Sequence, residues 1–192
     1  MRVFLITQDD PFYITRTIKE LIHELKKDGH QVIGSVASRP SPFGKKESFL
    51  RKALKTYSIF GLYFFLRYSY LYLLNRFVRN LNLSRVLSDY NVPEIKLDDS
   101  INHGNSLKKI RDLNPDILIS IAGNEIFKQP LIDLAPKGCL NLHTALLPKY
   151  RGLMPTFWVL KNNEQFTGVS VFFVDEGIDS GDIVVQKKIE IA

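Results

Sequence analysis

The chain has 192 residues, 26 Lys and Arg against 20 Asp and Glu, and a formal net charge of +6. That length supports one domain with a core of its own; 45% hydrophobic and 24% charged residues exclude wholesale disorder, a collagen-like repeat and a multi-span membrane protein. A single cysteine, Cys139, excludes an intrachain disulfide and a cysteine-based zinc cluster and fits a reducing, cytoplasmic compartment.

Met1-Arg2 leads straight into Val3-Phe4-Leu5-Ile6. This apolar run is too short for a signal segment and reads as a buried first strand. Asp9-Asp10-Pro11 then gives a turn and helix start. Ile14, Ile18, Leu21, Ile22 and Leu25 follow at helical spacing, and Lys26-Lys27-Asp28-Gly29 ends the helix. Gln31 to Ala37 reads as a second strand. Strand, helix and strand at this spacing form a βαβ unit and imply a parallel sheet.

The charge is concentrated in what comes next. Arg39 to Arg85 holds ten basic residues against one acid, Glu47, a balance of +9, while the rest of the chain sums to −3. Thr56 to Asn75 carries one charge, Arg67, and nine of the 22 aromatics lie from Tyr57 to Phe77. A membrane-crossing helix needs roughly 20 mostly apolar residues; Arg67 and the tyrosines argue against one. The expectation is a helical insert at about 45–85, one or two helices packed on the domain with most faces covered. Two other readings are a membrane-surface contact through 56–79, where Tyr and Lys/Arg are at home, and contact with nucleic acid. The positives do not fall on one helical face, which weakens both of these readings.

Beyond the insert, Val92 to Leu97 reads as a short strand, Leu107 to Leu113 as a helix, and Asp116 to Ala122 as a central parallel strand. A short helix over Phe127 to Leu134, a strand over Gly138 to Leu142 and a helix opened by Met154-Pro155 follow. Two alternating strands, Thr167 to Val174 and Ile183 to Ile191, close the chain. The fold class is therefore α/β: a Rossmann-like, mostly parallel twisted sheet with helices on both faces.

Such sheets hold their sites at the C-terminal ends of strands. The first strand ends Ile6-Thr7-Gln8-Asp9-Asp10-Pro11, without a Gly-rich phosphate loop, which disfavours a dinucleotide oxidoreductase or a P-loop enzyme. The dense segment is Gly138 to Gly152. Residues two apart in a strand share a side, so Asn141 and His143 project together from a strand end. An amide donor beside an imidazole suits a reaction that builds negative charge on a carbonyl oxygen; the alternative is a structural histidine beside an Asn turn. Asp175, Glu176, Asp179 and Asp182 cluster with Gly177 and Gly181 between two strands. This is either a solvated turn or a source of a carboxylate to orient the His143 ring.

Asn-x-His, then Leu146-Leu147-Pro148-Lys149-Tyr150-Arg151-Gly152, then Asp175-x-Gly177-Ile178-Asp179-x-Gly181 resembles the folate-dependent formyltransferases over about Asp116 to Ile191. That family includes glycinamide ribonucleotide, methionyl-tRNA and sugar N-formyltransferases. The resemblance implies a catalytic triad of Asn141, His143 and Asp179, N10-formyltetrahydrofolate as donor, and a small-molecule primary amine as acceptor. The amine attacks the formyl carbon directly; Asn141 and His143 stabilise the oxyanion, and Asp179 keeps His143 charged and helps move the amine proton. The resemblance implies no metal and no covalent enzyme intermediate. It places the pterin against Ala122, Gly123, Asn124 and Ile126 and against the turn with Asp175 and Gly177.

There are departures from the family pattern. Ala145 stands where many relatives have Ser. Asp9-Asp10-Pro11 replaces a phosphate loop, which speaks against glycinamide ribonucleotide. Pro148 to Gly152, Pro155 and Trp158 look more like the sugar enzymes, so the expected acceptor is a nucleotide-linked amino sugar. Methionyl-tRNA formyltransferase, with tRNA as partner, is the first alternative. A formyltetrahydrofolate hydrolase and a non-catalytic membrane-docking protein are the others. The resemblance further implies that residues 1–192 form a catalytic domain lacking a C-terminal domain, and a homodimer is the expected assembly.

Overall fold

The computed structural model describes residues 1–38, 48–79 and 81–191, together with all but two of their side chains, at positions 49 and 52. Six strands form one sheet in the order β2-β1-β3-β4-β5-β6: β1 Arg2–Gln8, β2 Gln31–Ser38, β3 Ile117–Ile121, β4 Cys139–His143, β5 Phe166–Phe173 and β6 Ile183–Glu190. The first four are parallel; β5 and β6 run antiparallel. The expected mostly parallel α/β sheet is present. Its order reverses between β1 and β3, and the crevice at their carboxyl ends is the place where such folds bind ligands.

Alternation along β1 divides the core. Val3 and Leu5 pack with Ile18 and Ile22 of α1 (Ile14–Lys27) and with Leu83, Val86 and Leu87 of α3 (Leu83–Asp89). Phe4 and Ile6 point the other way, to Leu107 and Ile110 of α4 (Gly104–Arg111) and Leu131 of α5 (Gln129–Ile132). Helices therefore cover both faces. Each fully buried side chain of this size contributes roughly 1.5–3 kcal/mol relative to exposure. Cys139 lies in the second cluster, and burial pushes its thiol up to about 12. The native chain is therefore expected to leave Ellman's reagent unreacted at neutral pH and to react only after unfolding. Prompt reaction of the folded protein would contradict this packing.

α1 begins later than the sequence predicts. Pro11 lies in the turn before it, and the Asp10 carboxylate accepts the backbone N–H groups of Phe12, Tyr13 and Ile14 at 3.0, 2.8 and 3.3 Å. The expected strand Val92–Leu97 reduces to one parallel bridge, Ser35 to Glu94. Pro93 has no N–H to donate, so pairing there is confined to Ser35 N–H on the Pro93 carbonyl and Ile95 N–H on the Ser35 carbonyl.

The insert is helical, as expected, but not covered. α2 runs Phe49–Leu73 and passes into a π-helical turn, Leu74–Val78. The expected start of the insert at 45–47, and Arg39, Lys45 and Lys46 of the basic count, lie outside the described residues. Gly61 breaks the helical path with φ +77° and ψ 175°, a conformation open to glycine and costly for other residues. Most large apolar side chains of α2 are exposed, Leu50, Ile59, Leu62 and Leu66 among them. The expectation that most faces would be covered is therefore overturned. The helix makes few packing contacts and is rooted mainly through its C-terminal part, where Tyr68 stacks on Phe12 with ring centroids 4.4 Å apart and Arg76 pairs with Asp9 at 2.9 Å.

Candidate active site

The carboxyl ends of β2, β3 and β4 open into a cleft of about 2370 Å³. Small-ligand pockets are roughly 300–1,000 Å³, so this cleft has room for two substrates side by side. Its lining includes Asn141, His143 and Asp179, together with Ala122, Gly123, Asn124, Ile126, Asp175 and Gly177. The structure thus brings these nine expected site residues to one cleft.

β4 places Asn141 and His143 two residues apart, on the same side. The connection 174–182 leaves β5 beside β4, with the Val174 N–H on the Cys139 carbonyl at 2.8 Å, and folds back to bring Asp179 to the histidine. His143 Nδ1 lies 3.4 Å from Asp179 Oδ2, both side chains being largely buried. His143 Nε2 lies 2.8 Å from the Tyr150 carbonyl. Both ring nitrogens thus face oxygen atoms, which fixes the orientation of the ring. Asp179 Oδ2 also accepts the Gly152 N–H at 2.8 Å, which ties the 174–182 turn to the segment after β4.

Several positioning groups were not singled out from the sequence. Ser170 pairs with His143 across the sheet; it donates to the Ala145 carbonyl at 2.6 Å and accepts from Leu147 N–H at 3.1 Å and Gln186 at 2.8 Å. Gln186 also donates to the Leu147 carbonyl at 2.8 Å. The signal was a serine at an inward position of an apolar alternating strand, Gly168-Val169-Ser170-Val171-Phe172. Tyr150 donates to Glu164 at 2.6 Å, and that bond together with nearby Lys149 lowers the Glu164 pKa. The Gln8 amide donates to the Ala122 carbonyl across the switch point. Removing the Ser170 hydroxyl leaves the buried Leu147 N–H without this acceptor, so Ser170→Ala is expected to cost about 1–3 kcal/mol, read as a lower urea midpoint.

Backbone strain gathers at the cleft. Among the described non-glycine residues with positive φ, three are Asn91, Asn114 and Asn163; the other four are Ala122 (φ 60°), Tyr150 (58°), Met154 (55°) and Asp179 (47°). Asn and Asp tolerate this region, whereas Ala122, Tyr150 and Met154 are strained there by about 1–2 kcal/mol each. Ala122, Met154 and Asp179 line the cleft, and the Tyr150 carbonyl meets His143. The 122–128 loop is pinned by Asn102, which donates to the Ile126 carbonyl at 2.9 Å and accepts from Lys128 N–H at 2.8 Å. The Asp175 turn is closed by Ser180 and Gly177 N–H on the Asp175 carboxylate. Among the described residues, no group of three or more His, Cys, Asp and Glu could hold a metal.

Similar proteins point the same way. A methionyl-tRNA formyltransferase from Kosmotoga olearia is 41% identical over 110 residues, 57% of this chain and 35% of that protein. One from Thermodesulfovibrio yellowstonii is 43% identical over 99 residues, 52% of this chain and 30% of that protein. The chain thus spans about a third of the length of these curated relatives. In solved structures, a phosphoribosylglycinamide formyltransferase from Bacillus halodurans shares the fold with a TM-score of 0.65 at 18% identity, covering 100% of this chain and 81% of that one. A sugar N-formyltransferase from a Shewanella species gives 0.57 at 17% identity, covering 100% and 58%. Residues 85–192, more than half of the chain, match the formyl transferase family, and with β3 to β6, Asn141, His143 and Asp179 inside that match, the chain belongs to this family.

Proposed function

We propose that residues 1–192 form a catalytic unit that transfers a formyl group from N10-formyltetrahydrofolate to the primary amine of an amino sugar, carried on a nucleotide. The observation that carries this reading is His143, held between the Asp179 carboxylate and the Tyr150 carbonyl on the strand that also bears Asn141. When bound, the donor supplies an activated formyl carbon. Asn141 and His143 provide N–H donors toward the oxygen on which charge develops. Asp179 orients the ring and takes part in moving the amine proton. The strained 122–127 loop and the self-closed Asp175 turn offer backbone groups to a flat, polar heterocycle, which fits the pterin.

Two observations bear on the acceptor. The N–H groups at the start of α1, an ordinary phosphate cradle, are filled by the chain's own Asp10, which speaks against a glycinamide ribonucleotide phosphate there. Trp158, which lines the cleft, is partly exposed and presents an aromatic surface of the kind on which sugars and bases stack. The identity to methionyl-tRNA formyltransferases favours the second reading, with initiator tRNA as acceptor. The test is release of tetrahydrofolate from N10-formyltetrahydrofolate. Release dependent on a dTDP- or UDP-linked amino sugar supports the proposal. Dependence on charged initiator tRNA transfers it to the second reading, and amine-independent release identifies a hydrolase. No turnover with any acceptor refutes formyl transfer by this chain.

A further inference from the structure

We propose that α2 with its π-helical continuation is an interfacial docking element that seats on an anionic lipid bilayer. Beyond Gly61 its orientation is set by the domain. Tyr68 stacks on Phe12, Asn75 is buried, and Arg76 binds Asp9. On the side turned away, Leu62, Leu66, Tyr70, Leu73 and Phe77 recur at spacings of four, four, three and four, and each is more than half exposed. This is one continuous apolar stripe. An exposed stripe of this length on a folded domain marks an interaction surface.

Before Gly61, Leu50, Leu54 and Tyr57 share one face and are exposed; Arg51 and Lys55 lie a quarter-turn or more round and are also exposed, with exposed Ile59 one turn beyond Lys55. Gly61 divides the insert into two helical units, each with exposed apolar side chains.

Charge selects the occupant. Residues 48–88 contain seven Lys and Arg and no Asp or Glu. A second copy meeting this face about a two-fold axis would set cation against cation with no acid at 48–88 in either copy to offset them. A nucleic acid would satisfy the charge but leave the leucine and aromatic stripe in water. An anionic bilayer surface meets both demands: headgroups take the Lys and Arg, the acyl boundary takes the stripe, and tyrosines are at home at that depth. The element lies on the membrane rather than through it, since among the described residues no helix is long and apolar enough to cross. Its root on Asp9 and Phe12 adjoins Tyr13, which lines the cleft, so docking brings the cleft mouth close to the bilayer.

Sedimentation of the chain with phosphatidylcholine vesicles, with and without phosphatidylglycerol, tests this without any turnover. The expected result is binding to the anionic vesicles that weakens in high salt. Leu66→Asp with Leu73→Asp should reduce binding about tenfold or more at unchanged circular dichroism and melting temperature, because both positions are exposed. Arg51→Gln and Lys55→Gln should each weaken it about fivefold. Absence of binding to anionic vesicles overturns the proposal. So does a leucine-dependent dimer by size exclusion, or leucine-dependent RNA binding, in a chain that ignores vesicles.

Discussion

Replacing His143 by Ala is expected to lower formyl transfer by about 10²–10⁴-fold, the range for a positioned acid–base or oxyanion group. The folded state should lose far less. The ring has two polar partners, and Asp179 retains the Gly152 N–H after the change. Losing such contacts costs about 1–3 kcal/mol, which for a domain of this size lowers the melting temperature by roughly 2–4 °C per kcal/mol. Assayed well below that temperature, the variant should be folded and nearly inactive. Asp179→Asn separates charge from geometry: the amide oxygen still accepts from Gly152, while the negative charge beside the ring is gone. A fall of about 10²-fold in kcat with little change in KM is expected. If both variants lost activity only in proportion to unfolded protein, the histidine would be structural and the proposed chemistry would be wrong.

Gly181→Ala should damage the fold more than any change of one methyl elsewhere in the site. A Cβ at Gly181 would stand 1.8 Å from the Phe173 carbonyl oxygen and 2.9 Å from its carbon. Both are backbone atoms at the base of the β5–β6 connection, where the Phe173 N–H bonds the Asp182 carbonyl at 2.9 Å. Neither can rotate aside, so the turn itself must move. Overpacking of this kind costs about 3 kcal/mol, a drop of roughly 6–12 °C in melting temperature. The displaced turn carries Asp179, and misplacing a catalytic group by about 1 Å costs on the order of 10² in rate. Gly104→Ala is the control. Nothing lies within 4 Å of the added carbon there, so calorimetry should show no loss of stability.

Much of this protein is legible from local pattern. Val3 to Ile6 and Asp116 to Ala122 are apolar runs because both faces of their strands are covered by helices. Asn141 and His143 share a side because strand residues two apart always do. The motif around Pro148 to Gly152 was visible for the same reason: it is contiguous. The expected strand Val92–Leu97 misled because its apolar composition outweighed a proline that removes a ladder donor.

Sequence by itself determined the βαβ start, the parallel sheet, the strand end that bears Asn141 and His143, and the concentration of positive charge in one insert. Tertiary structure alone decided that Asp179 reaches His143, that Ser170 and Gln186 hold the segment between them, and that α2 stands exposed. The physical reason is that periodicity reports which side of an element is apolar, whereas contacts and burial depend on the path of the connections. The turn after β5 could have pointed its carboxylates into water, and an apolar helix looks the same in sequence whether a neighbour covers it or not.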